Sequence, residues 1–175
     1  MSRWVNGAGF VLGWLACVGG AVCGSFWAGP TAAVALIGLH LAVTRDPARE
    51  LRRLAAVGAF GAALESAAIS LGLYGYAGGW GVWWLAPAWV VAVWVLLAST
   101  FESSLASLGG RPRLAALFGA VGGPLSFLIG VRMGAAGFVA PPLVSLAALS
   151  ALWAAALPLA LVVSLTAGGK PAAPV

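Results

Sequence analysis

Along this chain, polar and apolar positions alternate on the scale of whole helices rather than single residues. Long apolar runs are separated by short polar or Gly- and Pro-rich breaks, and a helix needs about 20 mostly apolar residues to cross a bilayer. Six such runs predict spanning helices over Trp4–Gly24, Thr31–Thr44, Leu54–Tyr74, Trp84–Ser104, Leu114–Gly134 and Pro142–Thr166. The second is short unless Phe26 to Ala28 are counted in, and the last is interrupted by Pro158. The polar segment Arg45–Arg53, the Gly- and Trp-rich stretch Gly75–Trp83 and the segment Gly109–Arg113 read as loops. Pro87 falls in the first turn of the fourth run, where proline is tolerated. The opening run resembles a signal peptide but lacks a small-x-small exit, so it reads as the first spanning helix. The fold class expected is all-α: a six-helix transmembrane domain over residues 1–166, with a short disordered tail over 167–175.

The basic residues orient this bundle. With the amino terminus in the cytoplasm, Arg3, Arg45, Arg49, Arg52, Arg53, Arg111, Arg113 and Lys170 all fall on the cytoplasmic side, leaving Arg132 near the outer face. Short loops are where the positive-inside bias is most reliable, so six spans and two cytoplasmic termini support each other. Phe26, Trp27, Tyr74, Tyr76, Trp80, Trp83 and Trp84 cluster at the expected outer interface as an aromatic belt.

Composition closes off other classes. Hydrophobic residues make up 62% of the 175 residues and charged residues 7%, against roughly 25% charged in soluble domains. A soluble surface cannot be built from so few polar groups. The net charge of +5 sits in interhelical loops, without the interleaved stacking aromatics of a nucleic-acid binder, so no nucleic acid is expected. Cys17 and Cys23 lie six residues apart in one helix and point in different directions. One histidine, two dispersed cysteines and few carboxylates argue against a metal or haem site. No phosphate loop, nucleophile elbow or dinucleotide fingerprint is present, so no cofactor is expected and a self-sufficient redox enzyme is disfavoured.

Small residues recur every four positions at Gly9-Gly13-Cys17, at Gly58-Ala62-Ser66-Ser70, and at Gly119-Gly123 and Gly130-Gly134. Such ridges let helix backbones approach closely, either within the bundle or against another subunit. Gly122-Gly123-Pro124 predicts a kink or partial unwinding of the fifth helix, because proline removes a backbone donor and clashes with the preceding turn. Carbonyls freed at such a break either line a substrate site or are satisfied by a neighbouring helix.

Ionisable residues inside a membrane are functional candidates by default. Glu65 lies about 16 Å into the third helix at the rise of an α-helix, beside Ser66 and the small-residue ridge, and should face the bundle interior. Arg132 either snorkels outward or reaches Glu65. His40 and Glu102 lie at similar depth near the cytoplasmic ends of their helices and are candidate partners. The substrate site expected comprises Glu65, Ser66, Arg132, His40, Glu102, Gly123 and Pro124. The same residues also fit a purely structural polar network.

Several ordered motifs carry a resemblance: Gly13-Trp14 with Cys17, Leu39-His40-Leu41, Arg45-Asp46, Glu65-Ser66, Ala77-Gly78-Gly79-Trp80, Ala98 to Leu105, Gly122-Gly123-Pro124-Leu125, and Gly130-Val131-Arg132. Over residues 7 to 166 the chain resembles a bacterial inner-membrane family catalogued as domain of unknown function 2878. It departs at Glu102-Ser103, where an Asn-His pair is expected before Ser-Leu, so a role resting on that histidine does not carry over. The resemblance implies a link to membrane-lipid modification, since family members are often encoded beside methyltransferases similar to cyclopropane synthases and flavin amine-oxidase-like proteins. Three readings follow. The first is a bundle that binds or moves an amphipathic, lipid-like substrate, with membrane lipid and lipid-modifying enzymes as partners. The others are a substrate-binding or permease subunit for a small solute, similar to components of vitamin transporters, and an accessory protein with no site of its own.

Overall fold

In the computed structural model, residues 2–79 and 81–169 are described. Trp80 of the aromatic belt, Lys170 and most of the expected tail lie outside them. Six α-helices run as α1 (Arg3–Val22), α2 (Ala28–Ala42), α3 (Pro47–Ser70), α4 (Ala88–Ala98), α5 (Pro112–Met133) and α6 (Pro142–Gly168). Two three-residue strands, β1 (Tyr74–Tyr76) and β2 (Ala136–Phe138), pair antiparallel with Tyr74 opposite Phe138 and Tyr76 opposite Ala136.

Helix boundaries follow capping chemistry more closely than hydropathy. The α3 helix begins at Pro47, not at Leu54, so most of the segment expected as a polar loop is two turns of helix. Asp46 accepts a hydrogen bond from the Arg49 N–H at 2.9 Å and Pro47 supplies the first helical turn, an arrangement that satisfies an orphan donor and presets φ. Removing that cap with Asp46→Ala is expected to lower stability by about 1 kcal/mol, read as a lower midpoint of thermal unfolding in detergent.

The α4 helix is shorter than expected, about 16 Å long at 1.5 Å per residue, and Pro87 precedes it as an extended cap. It ends at Ala98 because side chains take over its last carbonyls. Ser99 Oγ donates to the Leu96 carbonyl, Thr100 Oγ1 to the Leu97 carbonyl, and Asn6 Nδ2 from α1 to the Ser99 carbonyl. The first residues of this irregular stretch, Ser99, Thr100 and Phe101, are buried, as is the helix before them. Trp89, Val90, Trp94, Leu96, Leu97 and Ala98 are all buried, with α1, α2 and α3 packed around α4. Irregular backbone of this kind is tolerated inside a bundle when protein rather than lipid surrounds it.

Neither internal proline breaks its helix. The α5 helix is continuous through Pro124 and α6 through Pro158, correcting the expected unwinding and interruption. Close packing accounts for this at Gly119 and Gly123. The first lies against the Trp153 backbone carbonyl of α6 and the second against the Trp153 indole, so α5 is braced along this face. The Gly119–Gly123 ridge thus packs within the chain. So do Gly13, against Leu36 and Leu96, and Cys17, against Gly29 of α2.

The two ends of the bundle differ. At one end Asn6 of α1 meets Ser103 and Ser104 after α4, His40 of α2 meets Glu50 of α3, and Arg53 of α3 meets Ser164 of α6. At the other end β1 and β2 tie the α3–α4 connection to the α5–α6 connection. Successive helices therefore run in alternating directions, with the starts of α1, α3 and α5 at the same end.

Candidate functional site

Glu65 is 1% exposed, on the α3 stripe that also buries Glu50, Arg53, Leu54, Val57, Gly58, Gly61 and Ala68. Its inward orientation agrees with the sequence; its partners do not. The hydroxyls of Tyr74 and Tyr76 donate to Oε2 at 3.0 and 2.8 Å, and Trp94 Nε1 donates to Oε1 at 3.2 Å. Arg132 is exposed near the end of α5, where Gly134 closes the helix with φ +90°, and it makes no ion pair with Glu65. Of the two options for Arg132 the outward one fits, as suits a long side chain that can keep its charge in water, and three neutral donors rather than an arginine meet the Glu65 carboxyl.

Two of these donors come from the strand. A two-residue step puts Tyr74 and Tyr76 on the same face of β1, and pairing with β2 holds that face over the end of α3. The third donor is fixed by stacking. Trp94 and Trp153 lie 4.8 Å apart at 17°, Gly61 lies under the outer face of Trp94, and Gly123 lies under that of Trp153. A methyl group at either glycine would overlap an indole. The result is a four-helix layer in which two glycines seat two stacked rings.

Ser66, also expected in the site, donates to the Ala62 carbonyl and accepts from the Ala86 N–H at 3.0 Å. It anchors the approach to α4 rather than facing an opening. Pro124 is buried in α5, beside Gly123.

A cavity of about 70 Å³ adjoins this layer. Glu65, Tyr76, Trp89, Trp94, Phe127 and Trp153 form its inner walls, while Trp14 of α1 and Ser126 of α5 close one side. Trp14 Nε1 donates to Ser126 Oγ at 3.0 Å. Both residues are only half-buried, and α1 packs mainly on α2 and α4 and only lightly on α5. The seam is flanked by exposed Val11 and Leu15 on one helix and Val121, Leu125 and Ile129 on the other. On the hairpin side, a separate depression of about 490 Å³ is lined by Ile69, Gly75, Gly78, Trp83, Pro87 and again Tyr76.

His40 and Glu102 belong to a second cluster at the opposite end, joined through residues that sequence reasoning left in a loop. His40 Nε2 lies 2.9 Å from Glu50 Oε1, Arg53 Nη1 lies 2.6 Å from Glu50 Oε2 and 2.8 Å from Glu102 Oε2, and Arg49 forks onto Glu102. Arg53 Nε also donates to Ser164 at 2.9 Å. The expected His40–Glu102 contact is thus indirect. The missed signal was Asp46-Pro47, which starts a helix and places Glu50 and Arg53 on the same face as Leu54 and Val57. The polar groups expected as one site form two separate clusters: Glu65 with Ser66, Gly123 and Pro124 nearby, and His40 with Glu102. Among the described residues, no three His, Cys, Asp or Glu side chains converge on one point.

These features define a class: an all-helical apolar bundle, with α1, α5 and α6 each long and apolar enough to cross a membrane and a carboxyl buried at its centre. The chain belongs to the family described as protein of unknown function DUF2878, whose pattern it matches over residues 3–159. No curated protein and no solved structure matches it.

Proposed function

We propose that this chain is an integral protein of the bacterial inner membrane, crossing it six times with both termini in the cytoplasm, and that it binds an amphipathic, lipid-like molecule in the cavity behind the α1–α5 seam. The alternating helix directions support six crossings. Arg3, Arg45, Arg49, Arg52, Arg53, Arg111 and Arg113 gather at one end, which favours that end as cytoplasmic. The helices too short to span by length alone, α2 and α4, are supported differently: α4 is enclosed by other helices, and α2 packs along α1 and α4.

One observation carries the binding reading. The cavity is bordered on one side by the half-buried Trp14 and Ser126, mid-length along α1 and α5 and beside exposed apolar side chains, which favours a mouth that opens there toward hydrocarbon when the Trp14–Ser126 bond parts. Water-soluble ligands would have no direct path through that mouth. The cavity is also much smaller than the roughly 300–1,000 Å³ of small-molecule sites, which favours part of a chain or a small headgroup over a whole vitamin-sized solute. A buried carboxyl at the inner wall, without a basic partner among the described residues, supports a site rather than a purely structural pair. A role beside membrane-lipid-modifying enzymes fits such a ligand.

The test is native mass spectrometry of gently purified protein beside the variant Ser126→Phe, which fills the mouth and removes the Trp14 bond. Wild type is expected to retain lipid that the variant loses, while both unfold at similar temperatures. Absence of lipid from wild type, or equal retention by a folded variant, would overturn the reading.

A further inference from the structure

All three groups that donate to Glu65 are packed in place, but they differ in what lies beside them. Trp94 is clamped between Gly61 and Trp153. Tyr74 is 1% exposed and packed against Phe127 at a ring separation of 4.9 Å. Tyr76 is half-buried, and it alone of the three borders both the inner cavity and the hairpin-side depression. Its ring meets Trp89, Tyr74 and Phe127 edge-on. Removing its hydroxyl from Oε2 would connect the two spaces and leave an acceptor position open on a carboxyl that has only neutral partners.

The surrounding rings narrow the choice of what replaces it. A quaternary ammonium group is recognised by open aromatic faces. Here both faces of Trp94 and Trp153 are covered, by each other and by the two glycines. The Tyr76 contacts with Tyr74, Trp89 and Phe127 are T-shaped, so the ring faces engaged in them are already met by ring edges. The cavity offers a carboxyl acceptor rather than an aromatic cage. A group with N–H donors and a positive charge would outcompete a phenol on a carboxylate there, because it adds to the hydrogen bond an attraction between opposite charges that a low-dielectric interior strengthens.

We propose that Tyr76 is a displaceable plug on Glu65, and that a primary ammonium headgroup of an amphiphile, entering from the hairpin-side depression, takes its place. This rests on the lipid-binding reading and adds to it the headgroup chemistry and the side of entry. The depression accommodates the headgroup on arrival, and the α1–α5 seam gives its hydrocarbon chain an exit toward lipid.

The experiment titrates protein in phosphatidylcholine nanodiscs with dodecylammonium and, separately, with dodecyltrimethylammonium, following saturable changes in tryptophan fluorescence. Empty nanodiscs correct for partitioning into lipid. Wild type is expected to bind dodecylammonium about tenfold more tightly than the trimethylated probe, a difference of about 1.4 kcal/mol. Glu65→Gln should abolish that preference. Tyr76→Phe keeps the ring but removes the competing donor, and should tighten dodecylammonium binding several-fold. A merely structural tyrosine would give weaker or unchanged binding on losing its hydroxyl. Equal affinity for the two probes, or no tightening in Tyr76→Phe, would overturn the proposal. Should Glu65→Gln not accumulate, the probe preference of wild type and the sign of the Tyr76→Phe change still decide it. Lipid retention that depends on Ser126, found together with equal probe affinities, would refute the ammonium headgroup while leaving lipid binding intact. Loss of both results would refute both.

Discussion

Replacing Arg53 with methionine is expected to destabilise the protein by about 3–5 kcal/mol, the usual cost of removing one member of a buried ion pair. Arg53 is 1% exposed and Glu50 5%, and the guanidinium bridges Glu50, Glu102 and Ser164 across α3, the end of α4, and α6. In Arg53→Met, Glu50 keeps only His40, and Glu102, which is half-exposed, keeps Arg49. The methionine restores much of the volume but none of the charge. Most of the loss therefore lies in Glu50, whose carboxylate is left buried without its guanidinium. The double variant Glu50→Gln/Arg53→Met should recover a substantial part of the stability, since the uncompensated charge is gone. Arg52→Met, one position away and exposed, is the control and should stay within about 0.5 kcal/mol of wild type. Thermal unfolding of the four proteins in the same detergent checks the ordering. An Arg53→Met protein as stable as Arg52→Met would mean that the cluster does not hold the helix ends together.

The second large effect is expected at Gly61. Gly61→Val places a branched side chain where the Trp94 indole lies against the α3 backbone. The ring has no free space behind it, because Trp153 covers its other face and Gly123 supports Trp153 in turn. Overpacking in well-filled cores costs about 1–3 kcal/mol; with four helices coupled through one stack, the upper end of that range is expected. The gain in helix propensity on leaving glycine is less than about 1 kcal/mol and cannot offset it. A thiol-reactive dye provides the readout in a Cys23→Ser background, since Cys17 is fully buried and Cys23 exposed. The temperature at which Cys17 becomes reactive should fall by several degrees. Gly9→Val, at a glycine with open space around its missing side chain, should leave it nearly unchanged.

How far these features were legible in the sequence depends on the kind of signal that each one leaves. The six helices were visible because a long apolar run is a one-dimensional pattern. The start of α3 was obscured because charge ends an apolar run while Asp46-Pro47 begins a helix; following the cap would have placed Glu50 and Arg53 on the buried stripe. Glu65 stood out by chemistry alone, as an acid deep inside an apolar helix. Its partners did not, because Tyr74-Gly75-Tyr76 reads as the edge of a helix followed by a loop until β2 is available to pair with it. Gly61 was missed for a related reason. It lies outside the four-residue ridges, and its role depends on two tryptophans brought from other helices. Arg132 was left with two options, outward or toward Glu65, because position along a helix does not specify the direction in which a side chain leaves it.

The hairpin also imposes an order of events during synthesis. The β1 strand leaves the ribosome long before β2, with α4 and α5 made in between. Until β2 arrives, the peptide groups of β1 that face it have no partner, and the two tyrosines that reach Glu65 have no fixed position. A nascent chain halted after α5 would already contain Glu65, Tyr74, Tyr76 and Trp94, yet it would lack both the strand that positions the tyrosines and Trp153, which holds Trp94 flat. The carboxyl thus acquires its full set of contacts only when the last helix is delivered, making closure of this site a molecular record that the whole bundle has been assembled.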